Sequence, residues 1–137
     1  MKTTLLGLLL MVLGAAAWVR LAPDDPARWH VPVPQGAAKG AHTHLASPAP
    51  AEMLARLAAV AEATPRTRRL AGSVDEGRIT WVVRSALWGF PDYVTAETVD
   101  AGGVQGVNVW SRQRYGSGDA GVNARRLRDW VDRLTGG

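Results

Sequence analysis

The sequence predicts a small α+β domain with the order α-β-β-β-β-α, in which two helices cover an antiparallel four-stranded meander, preceded by an apolar N-terminal helix. Three observations predict it. Apolar residues recur at helical spacing at both ends of the second half of the chain. Between those ends apolar and polar residues alternate at the period of a strand. Glycine and aspartate clusters punctuate the alternating runs where hairpins need turns. The 137-residue length suits one domain, and no internal repeat or βαβ alternation is present, which argues against a dinucleotide-binding fold.

The first element is a charge-free run over residues 3–19, closed by Arg20. About 17 apolar residues is the lower edge of a membrane-spanning helix. Ala15 and Ala17 stand at the spacing signal peptidase accepts, so residues 1–20 read as a signal-anchor or a cleaved signal peptide. Continuation of the run through Trp18 and Val19, with a tryptophan suited to the membrane–water interface, favours the uncleaved anchor. Lys2 and the amino terminus lie on one side and Arg20 and Arg28 on the other, so charge biases orientation weakly. The expectation is a single anchor in the cell membrane with the domain exported to the periplasmic side; secretion after cleavage is the alternative. The chain has no cysteine, which excludes disulfides, thiolate chemistry, cysteine-held metals and lipoprotein attachment, and suits an oxidising compartment.

Residues 21–49 read as a Pro/Ala-rich tether. Pro23, Pro26, Pro32, Pro34, Pro48 and Pro50 are six of the eight prolines, and no apolar period runs among them. His42-Thr43-His44 lacks the third and fourth ligands a metal site needs, so neither a metal nor a cofactor is expected. Trp29-His30 is unusual in a solvated tether and is expected to dock on the domain.

The α+β domain occupies residues 50–137. Ser47-Pro48 supplies a cap and first turn for a helix carrying Met53, Leu54, Leu57, Val60 and Ala61, stopped at Thr64-Pro65. Strands over 68–74 and 78–87 flank Asp75-Glu76-Gly77, with Ile79, Trp81 and Val83 on one face. Pro91-Asp92 breaks the chain, and strands over 93–99 and 104–112 flank Asp100-Ala101-Gly102-Gly103. Leu127, Trp130, Val131 and Leu134 mark the inner stripe of a last helix that stops at Gly136. Trp81, Trp88, Phe90, Tyr93, Trp110 and Trp130 are expected chiefly as core; Leu87-Trp88-Gly89-Phe90 has the alternative of an exposed lip that touches lipid or a hydrophobic ligand. Residues 52–137 hold 12 arginines, no lysine and 10 acids, a surplus of two, so the basic composition does not argue for nucleic acid. For an exported domain an anionic envelope surface is the better-placed partner.

The stretch from Trp110 to Arg126 runs from a strand through a glycine-studded loop into a helix. Such a loop presents N–H groups beside a helix's positive end, the usual cradle for an anion. Ser111, Arg112, Arg114, Gly116, Asp119, Gly121, Asn123 and Arg126 are therefore the candidate ligand-binding residues. A self-satisfied loop stands beside that reading: Asp119 caps the helix, Arg112 or Arg114 pairs with it, and Asn123 stitches loop to helix. No catalytic residue is assigned. Ser85, Ser111 and Ser117 have no histidine in the domain, and a triad would need His30 to fold back.

The same stretch resembles the domain-of-unknown-function family numbered 1499. The resemblance rests on Ser111-Arg112-Gln113-Arg114, Gly116, Asp119, Gly121, Asn123 and Arg126, with Phe90-Pro91-Asp92 and Thr64-Pro65-Arg66-Thr67 upstream, and spans residues 50–134. It implies an N-terminal membrane segment in many members and no established activity, so no catalytic role carries over. Three functions remain in view. One is a non-enzymatic, membrane-anchored binding module for an anionic small molecule, a lipid headgroup or an envelope protein. The others are a small hydrolase or transferase using Asp119 with Arg112 and Arg114, and a purely structural envelope component.

Overall fold

The computed structural model describes residues 1–36 and 38–136. Helix α1 (Lys2–Leu21) is apolar and buries none of its residues. It is followed by α2 (Pro26–Trp29), β1 (Ala41–Ala46), α3 (Pro50–Glu62), β2 (Thr67–Ser73), β3 (Arg78–Arg84), β4 (Pro91–Ala101), β5 (Val104–Gln113) and α4 (Val122–Thr135). The α+β class with an apolar N-terminal helix stands as expected, but the antiparallel sheet has five strands, in the order β1-β5-β4-β3-β2.

The extra strand comes from the segment read as a tether. Residues 41–46 pair antiparallel with β5, Ala41 opposite Ser111 and Ala46 opposite Gly106. Leu45 turns inward into the core, while His42 stacks on Trp110 at 5.7 Å and His44 bonds Asn108 at 2.8 Å on the other face. The His-x-His spacing is thus a strand's alternation. The prolines around the segment hid its short period.

Boundaries shift for local reasons. Helix α3 begins at Pro50 and its N-cap is Ala49, because Ser47 is still tied to the sheet through its N–H to the Gln105 carbonyl. The Ser47 hydroxyl instead accepts from the Ala49 N–H and shapes the corner. Strand β3 ends at Arg84, three residues before the expected limit, because the Ser85 hydroxyl and carbonyl accept from the Phe90 and Gly89 N–H groups and close a turn. Gly102 and Gly103, both at positive φ, make the two-residue hairpin of β4 and β5.

Alternation gives the sheet two unlike faces. Ile79, Trp81, Val83, Val94, Ala96, Val107 and Val109 meet Leu54, Leu57 and Ala61 of α3 and Leu127, Trp130 and Leu134 of α4 in one apolar core. Trp81 and Trp130 sit edge to face there at 5.9 Å. Thr80, Tyr93, Thr95, Glu97 and Arg112 point the opposite way, against the segment that follows α1.

Gly106 shows how closely β1 is docked. At φ 149° an added Cβ would stand 2.0 Å from the Leu45 carbonyl oxygen. Gly106→Ala is expected to cost about 2–3 kcal/mol in urea unfolding, with amide exchange accelerated first in residues 41–46. Wild-type protection of those amides in the variant would refute the close packing of β1.

Candidate functional site

Two clusters hold the predicted site residues, and they lie on opposite faces of the sheet. On the helix face, Ser111 is fully buried and donates to Asn123 Oδ1 at 2.5 Å. Arg126 reaches the same Oδ1 at 2.6 Å, Ser111 Oγ at 3.1 Å and Asp92 at 2.9 Å. Asp119 accepts from the Gly121 N–H at 2.9 Å, the Asn123 N–H at 2.9 Å and Asn123 Nδ2 at 2.6 Å, so it caps α4 from outside the helix. Those bonds hold its carboxyl below the usual range, the Asn123 N–H first among them. Gly121, at φ 77°, supplies the left-handed turn into the helix. Burial pushes Asp92 up, Arg126 opposes that, and the Asp119 charge adds to it.

On the other face Arg112 and Arg114 lie under the post-α1 segment. Arg112 is 5% exposed, donates to Thr95 Oγ1 at 3.0 Å and to the Trp29 carbonyl at 2.5 Å, and stacks 3.8 Å from the centre of the Trp110 ring. Burial lowers its pKa to about 10, with Tyr93 opposing. Arg114 bonds the Pro23 carbonyl at 3.0 Å and Tyr93 Oη at 3.3 Å. The expected pairing of Arg112 or Arg114 with Asp119 is absent from the contacts of the described residues. Strand alternation is the reason: Ser111 faces α4, so its neighbour Arg112 must face away.

The side chain that organises this second face is Asp24, from the segment read as tether. Its side chain is 2% exposed. Arg68 and Arg84 donate to Oδ2 at 2.7 and 2.9 Å, the Tyr93 hydroxyl donates to Oδ1 at 2.6 Å, and Arg114 stands 3.7 Å away. Burial alone pushes Asp24 up, but the Tyr93 and Arg84 bonds and the charges of Arg84 and Arg68 more than reverse it. Burial and the Asp24 bond push Tyr93 up to about 12. Trp29 lies flat on Tyr93, ring centres 3.9 Å apart. His30 does fold back, and its Nδ1 meets Thr80 Oγ1 at 2.9 Å, next to Thr95. Burial, then Arg78, holds His30 below its usual value, with Glu76 and Glu97 opposing. Glu97 accepts from the Val33 N–H at 3.0 Å and pairs with Arg78. Trp29-His30, Arg112 and Arg114 gave a sequence signal, and Tyr93 one only for the core; Asp24 had none.

Two clefts border this arrangement. One, of about 420 Å³, is lined by Lys39, Arg112, Arg114, the 116–118 glycine loop, Asp119 and Asn123. The other, of about 600 Å³, lies at the α1 end and is lined by Arg20, Arg66, Arg68 and Arg84. The model for a family described as protein of unknown function (DUF1499) matches residues 21–134. The match begins well before residue 50, and so includes both Asp24 and β1. No curated protein and no solved structure matches the chain.

Asp24→Asn removes the buried counter-charge of Arg68 and Arg84 and is expected to cost about 3 kcal/mol in urea unfolding. Because the folded pKa is depressed, the carboxylate's contribution is fully present above the unfolded value of about 3.9 and is lost as pH falls through the lower folded value. Below about pH 4 the wild-type chain should therefore lose stability more steeply than Asp24→Asn. Equal acid slopes would refute that contribution.

Proposed function

Since the chain belongs to the DUF1499 family of proteins of unknown function, which brings no activity to carry over, we propose from the site chemistry that it is a non-enzymatic binding module for an anion, anchored in a membrane by α1 with its domain on the exported side. The observation that carries the binding reading is Arg112. It is a 5% exposed cation with no carboxylate partner among the described residues, on the wall of a cleft it shares with Lys39, Arg114, the glycine loop and Asp119, whose carboxylate is itself held by the Gly121 and Asn123 N–H groups. Burial of a charge without its opposite is costly. A phosphate-like anion in the cleft supplies the missing charge, with Lys39 and loop N–H groups as further donors. The Asp119 oxygens are taken by three N–H donors, and Arg112 and Arg114 spend their hydrogen bonds on Thr95, Tyr93 and the Trp29 and Pro23 carbonyls, which supports binding over a hydrolase or transferase built on those three residues.

The anchoring reading is supported by α1, whose 20 residues span about 30 Å, the thickness of a bilayer's apolar core. Its last turn is joined to the domain: Arg20 donates to the Leu87 carbonyl at 2.7 Å, and the Val19 carbonyl accepts from Arg84 at 3.3 Å. Val12, Ala15, Ala16 and Val19 share an apolar groove with Trp88 and Phe90. Cleavage after Ala17 would strip Val12, Ala15 and Ala16, three of the six residues that line that groove, which favours an uncleaved anchor.

The full chain in neutral detergent should rise in Tm when titrated with inorganic phosphate, and Lys39→Gln should weaken that binding about fivefold, near 1 kcal/mol. If Lys39→Gln and Arg114→Ala lower Tm and leave the phosphate-induced rise intact, or if phosphate has no effect, the binding reading fails. The chain should also resist alkaline carbonate extraction from membranes, and protease should cut the domain on intact spheroplasts. Cutting only after lysis would refute export.

A further inference from the structure

The cleft at the α1 end differs in kind from the one beside the glycine loop. Arg20 comes to it from the end of α1, Arg66 from the turn before β2, Arg68 from the start of β2, and Arg84 from the end of β3, and no carboxylate lines it among the described residues. Asp24, bonded to Arg68 and Arg84, is buried at 2% exposure, so four guanidinium groups are set against one enclosed acid. A guanidinium has five N–H donors. Arg66 commits one, Nε to the Arg84 carbonyl, and Arg20 commits two, to the Leu87 and Trp88 carbonyls. Donors therefore remain for a ligand.

Gly89 also lines this cleft, and around it the chain exposes large apolar side chains: Leu87 is 73%, Trp88 45% and Phe90 43% exposed. Trp88 and Phe90 lie beside Val12 to Val19 of α1, the stretch that leads to the membrane surface if the helix spans. Apolar side chains at the level of the last helical turns, with arginines at Arg20's level, match the order of a bilayer's interface: acyl chains, then phosphates. Arginine binds phosphate with paired N–H donors. A soluble phosphate would explain the arginines and leave the lip without a role.

The geometry points to this cleft as a site for the headgroup phosphate of an anionic phospholipid of the bilayer that holds α1, with Arg20 and Arg66 as donors and Leu87, Trp88 and Phe90 among its acyl chains. The inference rests on the anchoring reading above and is independent of the anion cleft beside the glycine loop.

The full chain in a neutral detergent is mixed with equimolar phosphatidylglycerol and phosphatidylcholine of identical acyl chains, and retained lipids are counted by native mass spectrometry. The wild type is expected to keep one phosphatidylglycerol with about tenfold preference. The double variant Arg20→Gln/Arg66→Gln should bring the preference near parity; Arg66→Gln alone, which leaves the Arg20 bonds to the lip in place, should lower it about threefold. Arg128→Gln, on the exposed side of α4, should leave it unchanged. Parity in the wild type, an unaltered preference in the double variant, an equal drop in Arg128→Gln, or displacement of the lipid by an equal concentration of inorganic phosphate would each overturn the inference. The micelle holds the chain in every arm, so these failures leave the carbonate result untouched, and a chain released by carbonate would overturn anchoring alone.

Discussion

A carboxylate removed from water stays ionised only where opposite charge and donors replace the water, and Asp24 is such a group. Arg68 from β2, Arg84 from β3 and Tyr93 from β4 all reach it, and Arg114 from β5 stands close. Four adjacent strands thus converge on one residue that lies three positions after the end of α1. The bond network removes the slack between helix and domain, and it fixes where the following segment begins its path across the sheet. Trp29 on Tyr93, His30 at Thr80, Val33 at Glu97 and then β1 on β5 follow in chain order.

The two faces of the sheet are therefore covered by different chemistry. Helices α3 and α4 bury Leu, Trp and Ala against Val, Ile and Trp, an interaction set by area and shape. The segment is held by hydrogen bonds and ion pairs, each with one geometry that satisfies it. A polar layer of this kind specifies register more sharply than an apolar one, because a slip leaves buried donors and charges without partners. Arginines of that layer line both clefts: Arg112 and Arg114 in one, Arg68 and Arg84 in the other.

The legible parts of the site were those written at short range. Asp119 capping α4 and Asn123 stitching the loop to that helix follow from residues four positions apart or fewer. The eight candidates nevertheless do not form one site. Ser111, Asn123 and Arg126 meet on the helix face, while Arg112 and Arg114 turn to the other, a division already implicit in the alternation of β5. Strand β1 was masked by prolines and glycines on both sides, and six residues give too short a run for the period of two to stand out.

Apolar periodicity in the sequence by itself determined the α+β class, the two core helices and the β2–β5 meander, and an unbroken apolar run determined α1, since each depends on residues a few positions apart. Only the tertiary structure decided that the segment after α1 is a layer of the fold, that Asp24 is its keystone, and that five arginines gather around it and the adjoining cleft. The hydrogen-bonded partners of Asp24, namely Arg68, Arg84 and Tyr93, lie 44 to 69 positions away. Ion pairs and hydrogen bonds over such separations leave no period in the chain; they exist once the sheet has brought the strands together.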